Sequence, residues 1–353
     1  VPSRSEDFLK ELDSSLLSFV GAGRVKSPID ELGARRFLFI TGKGGVGKTS
    51  VSAAIATALA ARGKRVLIAM PHTKERLSAV LGTKPIGEDV VECQPGIWAV
   101  NIVPDIALYE YGLMVIKVKT LTNAVFKNEY IKAFLRAVPG MYEWSMLGKA
   151  WFHTTEVAPD GRPRFDVVIF DAPATGHGLD MLRVPKVILD VAPPGVLRRD
   201  AEQAVALFRD PERSGIIVVT LPEEMPVTET IELVGAVEQE LGMPVLRIIV
   251  NGLMAPLFDD RERKALTSQR ELLTLAAADR AAKGVRASIV AAARRALRET
   301  VQRDSVRRLL TTRPERVIML PFLFDDASTR AGTVHLAEVL GAPVIAGRGG
   351  GST

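Results

Sequence analysis

The eight residues 42-GKGGVGKT-49 restrict this chain more than any other stretch. They fit the pattern G-x-x-x-x-G-K-[ST], with the apolar run 37-FLFIT-41 before them and the Ala-rich run 48-KTSVSAAIATALAARG-63 after them. A buried strand, a glycine turn and a helix ending at Gly63 form the context in which this pattern becomes a phosphate-binding loop. The glycines let backbone N–H groups close on phosphate oxygens, and the helix N-terminus adds partial positive charge. Gly42, Lys43, Gly44, Gly45, Val46, Gly47, Lys48, Thr49 and Ser50 are therefore the candidate nucleotide-binding residues. Lys48 is placed to neutralise the β- and γ-phosphates and the Thr49 hydroxyl to help hold Mg²⁺. GKGGVG also satisfies the dinucleotide pattern G-x-G-x-x-G, but the second strand in 64-KRVLIAMPH-72 ends without the carboxylate that a ribose requires. The Lys-Thr pair favours a triphosphate, so ATP and Mg²⁺ are the expected cofactors.

From Arg36 onward, short aliphatic runs alternate with helix-like sequence. After FLFIT and KRVLIAM come WAVNIV, FDVVIFD, GIIVVT, VLRIIVN and RVIMLP. This predicts an α/β fold: a mostly parallel, doubly wound P-loop NTPase sheet with an added α-helical layer. The layer is expected from two segments longer than a crossover needs, about 105–157 and 257–312. Residues 1–32 read as a helical lead and linker, 33–341 as the nucleotide-binding domain, and 342–353 as a disordered tail.

Composition narrows the function classes. Of 353 residues 47% are hydrophobic and 25% charged, enough for a large core. No run of about 18 apolar residues implies a membrane span. The opening VPSRSEDFLKELDSS is too polar for a secretion signal, and the single cysteine, Cys93, fits a reducing compartment; a cytoplasmic location is expected. Between Leu253 and Arg316 there are 15 Lys and Arg against 8 Asp and Glu, which reads as a solvated helix face or a dock for an anionic partner.

Lys43, five residues before Lys48, is one lysine more than a phosphate loop needs. KGGVGKT resembles the deviant phosphate loop of the ATPases that include MinD, ParA, the nitrogenase iron protein and ArsA. In that class the early lysine reaches the nucleotide of the opposite subunit, which implies a homodimer, or a heterodimer with a paralogue, closed around ATP. Further segments resemble ArsA and the tail-anchored-protein-targeting ATPase: 166-DVVIFDAPATGHGLDMLRVP-185, 138-VPGMYE-143 and 221-LPEEMPVTET-230. The resemblance covers roughly residues 36–341. It implies that Asp171 holds Mg²⁺ through water, that Gly176 and His177 sense the γ-phosphate, that Asn251 contacts adenine, and that Pro321 begins the adenine-side loop. Lys43, Lys48 and Asp171 are then the catalytic set.

The sequence departs from the family at the first switch, where D-P-A-H-S is expected and 67-LIAMPHTKERLSAVLG-82 stands. His72 or Met70 occupies the place of the water-orienting Asp, depending on alignment. Either His72 or Glu75 takes over the water, with slow hydrolysis, or a partner supplies competent switches. One cysteine excludes an arsenite thiolate cluster, a C-x-x-C zinc staple and a bridging iron–sulfur cluster. The four histidines show no ligand spacing.

The expected function is an ArsA-like ATPase whose ATP-gated dimerisation controls a protein client or membrane partner, with nucleic acid not expected as a partner. The alternatives are a ParA- or MinD-like positioning ATPase and a nucleotide-binding scaffold for a hydrolytic paralogue.

Overall fold

The computed structural model describes residues 27–341 except 73, 117, 119, 121, 124–127, 129, 131–137, 139, 269–284 and 325. The predicted lead before Ser27 and the tail after Gly341 lie outside the described residues. Eight strands form one sheet in the order β3-β4-β2-β5-β1-β6-β7-β8. They are β1 (Phe37–Thr41), β2 (Val66–Pro71), β3 (Val91–Gln94), β4 (Ile97–Ile102), β5 (Val167–Asp171), β6 (Ser214–Thr220), β7 (Val245–Leu253) and β8 (Val317–Pro321). All neighbours run parallel except β3, which pairs antiparallel with β4.

Side chains alternate across a strand, and both faces here are apolar. Phe37 and Phe39 enter one core layer, while Leu38 and Ile40 enter the other. The second layer is roofed by α1 (Pro28–Leu32), α2 (Lys48–Ala60), α3 (Leu77–Leu81) and α11 (Arg330–Gly341). Small residues of α2, including Ala53, Ala54 and Ala56, are fully buried, so its backbone lies close on the sheet.

The first layer holds α4 (Pro104–Ile116), α5 (Met141–His153), α6 (Thr175–Val191), α7 (Val196–Arg209) and α8 (Glu224–Ala236), with α9 (Asp260–Ser268) and α10 (Val285–Thr312) beyond them. Phe37, Phe39, Phe170 and Phe208 pack together beneath it, with ring centroids 4.9–6.4 Å apart. The described parts of the segments 105–157 and 257–312 are largely helical. Trp144 of the first is fully buried in this core, and Met141, Met146 and Trp151 pack against it, whereas Met114 stays exposed.

Two features differ from the sequence reading. Pro28–Leu32, placed in the linker, is a helix whose Ile29 and Leu32 are fully buried against the second layer. Strand β3 was not expected: it is an edge strand with exposed and half-buried residues, joined to β4 through the Pro95-Gly96 turn, so no apolar run announces it.

Candidate active site

The parallel strands end on one edge of the sheet, and β1 sits centrally there between β5 and β6. Ligand crevices of open α/β sheets lie at such ends. The loop 42–47 follows β1 and turns into α2. Gly42 has φ 143°, and a Cβ on it would stand 2.1 Å from the Val219 carbonyl oxygen. Gly47 has φ 88°, and its Cβ would stand 2.3 Å from Asn251 Nδ2. Only glycine satisfies both the left-handed backbone and these approaches.

Lys48 Nζ donates to the carbonyl oxygens of Gly42 and Lys43, each at 3.0 Å, so its ammonium closes over the loop. Burial lowers its pKa, and the Asp171 charge opposes that. Asp171 ends β5, registered beside Ile40, and is buried. Thr49 Oγ1 donates to its Oδ2 at 2.7 Å and Ser52 Oγ to its Oδ1 at 3.1 Å. Burial pushes the Asp171 carboxyl up, with the two hydroxyls and Lys48 pulling the other way. A hydroxyl and a carboxylate in contact at the mouth of a glycine cradle are hard oxygen donors suited to Mg²⁺ shared with phosphate. No cluster of three or more His, Cys, Asp or Glu able to hold a metal occurs among the described residues, so the phosphates would supply the remaining ligands.

Lys43 is not free at the loop mouth. Its Nζ lies 2.5 Å from Glu229 Oε1 of α8, and both side chains are about one-third exposed. Met225, 68% exposed, adjoins the same ammonium. The loop after Asp171 leans on the cradle, because a Cβ on Gly44 would stand 3.7 Å from Ala174 Cβ. Gly176 is exposed near the start of α6; the side chain of His177 lies outside the described residues. Gly140, in the P-G-x-x-E segment, packs against Val184 of α6 with φ 79°.

Asn251, on β7, donates Nδ2 to the Val46 carbonyl at 2.9 Å and so braces the cradle. Pro321 is buried at the end of β8, and the exposed rings of Phe322 and Phe324 meet edge to face beyond it. Neither feature bears directly on adenine. Ser50 is half-buried at the first turn of α2.

At the first switch, His72 is exposed and has φ 38°, the one non-glycine residue with positive φ among those described. Such a conformation is sparsely populated and is held here by its N–H bonding to Ile102 O at 2.9 Å. Met70 is buried. Glu75 places one oxygen on Ser78 N at 2.7 Å and the other on Ser78 Oγ at 2.6 Å, capping α3. The Cys93 thiol is pushed up to about 11 by burial and then by Glu75, which makes it a poor ligand at neutral pH.

Two contributors escaped the sequence reading. Ser52 lies three residues after Thr49, hence on the same helix face, and that spacing could have revealed it. Glu229 sat within the quoted 221–230 segment, but nothing local paired it with Lys43.

The cradle, the Lys48–Thr49–Asp171 group and the sheet order define a P-loop NTPase fold. Residues 35–192 match the family model described as anion-transporting ATPase. The chain is 27% identical over 223 residues to ATPase BagA of Mycobacterium tuberculosis, covering 61% of this chain and 64% of the relative. It is 28% identical over 238 residues to the arsenical pump-driving ATPase of Escherichia coli, covering 62% of this chain and 39% of that protein. The same named ATPase of Acidiphilium multivorum is 28% identical over 264 residues, 68% of this chain and 43% of its own length. The matches thus span less than two thirds of these relatives. Over these residues the chain is similar to ArsA-type ATPases, and its loop has the deviant lysine of that phosphate loop.

Proposed function

We propose that this chain binds Mg²⁺-ATP and hydrolyses it slowly in a site completed by a second protomer, and that the nucleotide state controls a protein client or membrane partner. The observation that carries this reading is the convergence of Lys48, Thr49 and Asp171 on one glycine cradle. Lys48 exchanges its two loop carbonyls for the β- and γ-phosphates, where an ammonium offsets charge on the transferring group. Thr49 and Asp171 would hold the metal. The metal supplies charge neutralisation of the phosphates, and it also relieves the cost of ionising a buried carboxyl.

Lys43 leaves Glu229 and reaches across to the partner's nucleotide, so ATP becomes part of the join. His72 orients the water, since Glu75 has both oxygens committed to Ser78. An imidazole on an exposed strand end is a weaker substitute for a carboxylate, hence the slow rate. The switch after Asp171 passes phosphate loss along α6 to α5, which it packs against. Arsenite is not proposed as a ligand, because Cys93 is the single cysteine.

Steady-state phosphate release from the purified chain tests the reading. Slow turnover that disappears in both Lys48→Ala and Asp171→Asn is expected. Absence of ATP binding, or activity unaffected by either change, overturns it. The missing first-switch carboxylate also favours a second reading, a nucleotide-binding scaffold for a paralogue; ATP binding without any hydrolysis selects it.

A further inference from the structure

A half-open cavity of about 600 Å³ lies in the helical layer, lined by α4, α5, the segment before β3 and Asp200 of α7. It opens to solvent past the exposed Glu88, Asp89 and Met114, so it is a groove that a ligand can enter. It falls in the range of small-molecule sites. Its wall combines a large apolar surface, including Trp144, Trp151, Phe152 and Met114, with an uneven set of charges. Five carboxylates (Glu88, Asp89, Glu110, Glu156 and Asp200) face it together with only two permanent cations, Lys149 and Arg164.

The inner polar groups are fixed by one another. The Tyr111 hydroxyl donates to Asp200 Oδ2 at 3.0 Å and accepts a hydrogen bond from Trp144. Burial first, and then the Asp200 charge, raise the Tyr111 pKa, so the phenol stays neutral. Lys149 is taken by Glu110 at 2.7 Å, and Arg164 by Glu156 at 3.1 Å. Both wall cations are therefore already neutralised, and the remaining charge is negative. Asp200, with 14% of its side chain exposed, is the inner part of it, offset by the exposed Arg199 with Nε 3.8 Å from its Oδ1, while Glu88 and Asp89 are exposed.

We infer that this cavity is a binding site for an organic cation with an apolar body, an aryl- or alkylammonium. The body would rest on the aromatic and methionine wall. The ammonium would be drawn by the carboxylate excess and by the indole rings, which attract cations as well as apolar groups. A neutral analogue gains the burial alone, and an anionic one meets repulsion.

The probes are 4-phenylbutylammonium, 4-phenylbutanol and 4-phenylbutanoate, which share one body and differ in charge. Two of the chain's three tryptophans stand in the wall, so intrinsic fluorescence reports occupancy, and calorimetry gives the constant. Saturable binding of the ammonium is expected, about tenfold or more tighter than the alcohol and tighter still than the carboxylate. Asp200→Asn should bring ammonium and alcohol toward parity. The double change Glu88→Gln with Asp89→Asn, on exposed positions that leave folding undisturbed, should weaken the ammonium alone. The same binding is expected in Lys48→Ala, which separates this site from the nucleotide reading. Equal affinity for all three probes, no saturation with the ammonium, or an unchanged preference in both variants overturns the inference.

Discussion

Lys43 and Glu229 form the contact most exposed to test at the scale of single residues. The pair joins partly exposed groups, so it contributes little to folding, and its consequence is competition. While Glu229 holds the ammonium, the ammonium is not available to a second protomer. Glu229→Gln is therefore expected to lower the ATP concentration at which the chain self-associates, read by sedimentation velocity. Lys43→Ala should retain ATP affinity in the monomer within a few-fold while losing association. Asn251 offers a second test: its side-chain N–H to Val46 O is one half-buried neutral hydrogen bond, so Asn251→Ala should weaken ATP binding about fivefold, measured by displacement of a fluorescent nucleotide. The phosphate cradle was legible at this scale because glycines at fixed spacing and a Lys-Thr pair are local signals. The Glu229 contact was not, because a partner 186 residues away leaves no spacing to read.

Among elements, α10 is secured to α9 and to the loop after β7 by a buried carboxylate. Glu299 accepts from Leu257 N at 2.9 Å and Arg295 Nε at 2.7 Å, and pairs with Arg263 at 3.3 Å. Glu299 is 2% exposed, so Glu299→Ala would leave the Leu257 N–H unpaired and take the buried counter-charge from Arg263 and Arg295. A loss of about 3 kcal/mol in urea unfolding is expected. Sequence charge counting treated this region as a basic surface and missed that several of its arginines work inward. The seven apolar strands were readable because a sheet buried on both faces needs unbroken aliphatic runs. Edge strand β3 and helix α1 were not readable, since VECQ has no such run and the five-residue PIDEL is too short to show a helical period.

For the whole molecule, acid stability follows from carboxylates held below their ordinary range. Burial tends to raise Glu156, but the hydrogen bonds and charges of His153 and Arg164 outweigh it and leave the carboxyl low. At Asp166 burial is likewise outweighed, by Arg65 backbone and side-chain bonds and by the Arg65 and Lys64 charges. A depressed folded pKa contributes stability that is complete above the ordinary value, 4.5 for Glu156 and 3.8 for Asp166, and is lost as pH falls through the folded value. The thermal unfolding midpoint should thus decline as pH drops under about 4.5, and Glu156→Gln should be less stable at neutral pH yet show a shallower acid limb. No described helix is long and apolar enough to cross a membrane.

The central claim is that ATP is enclosed between two protomers, with Lys43 crossing the join. Light scattering during gel filtration, with Mg²⁺ and a slowly hydrolysed ATP analogue at saturating concentration, measures it directly. The expected result is twice the 38.2 kDa chain mass for the unaltered protein and a single chain mass for Lys43→Ala with the analogue still bound. A nucleotide-loaded protein that stays at one chain mass at every concentration, or a Lys43→Ala dimer of unchanged strength, would contradict it.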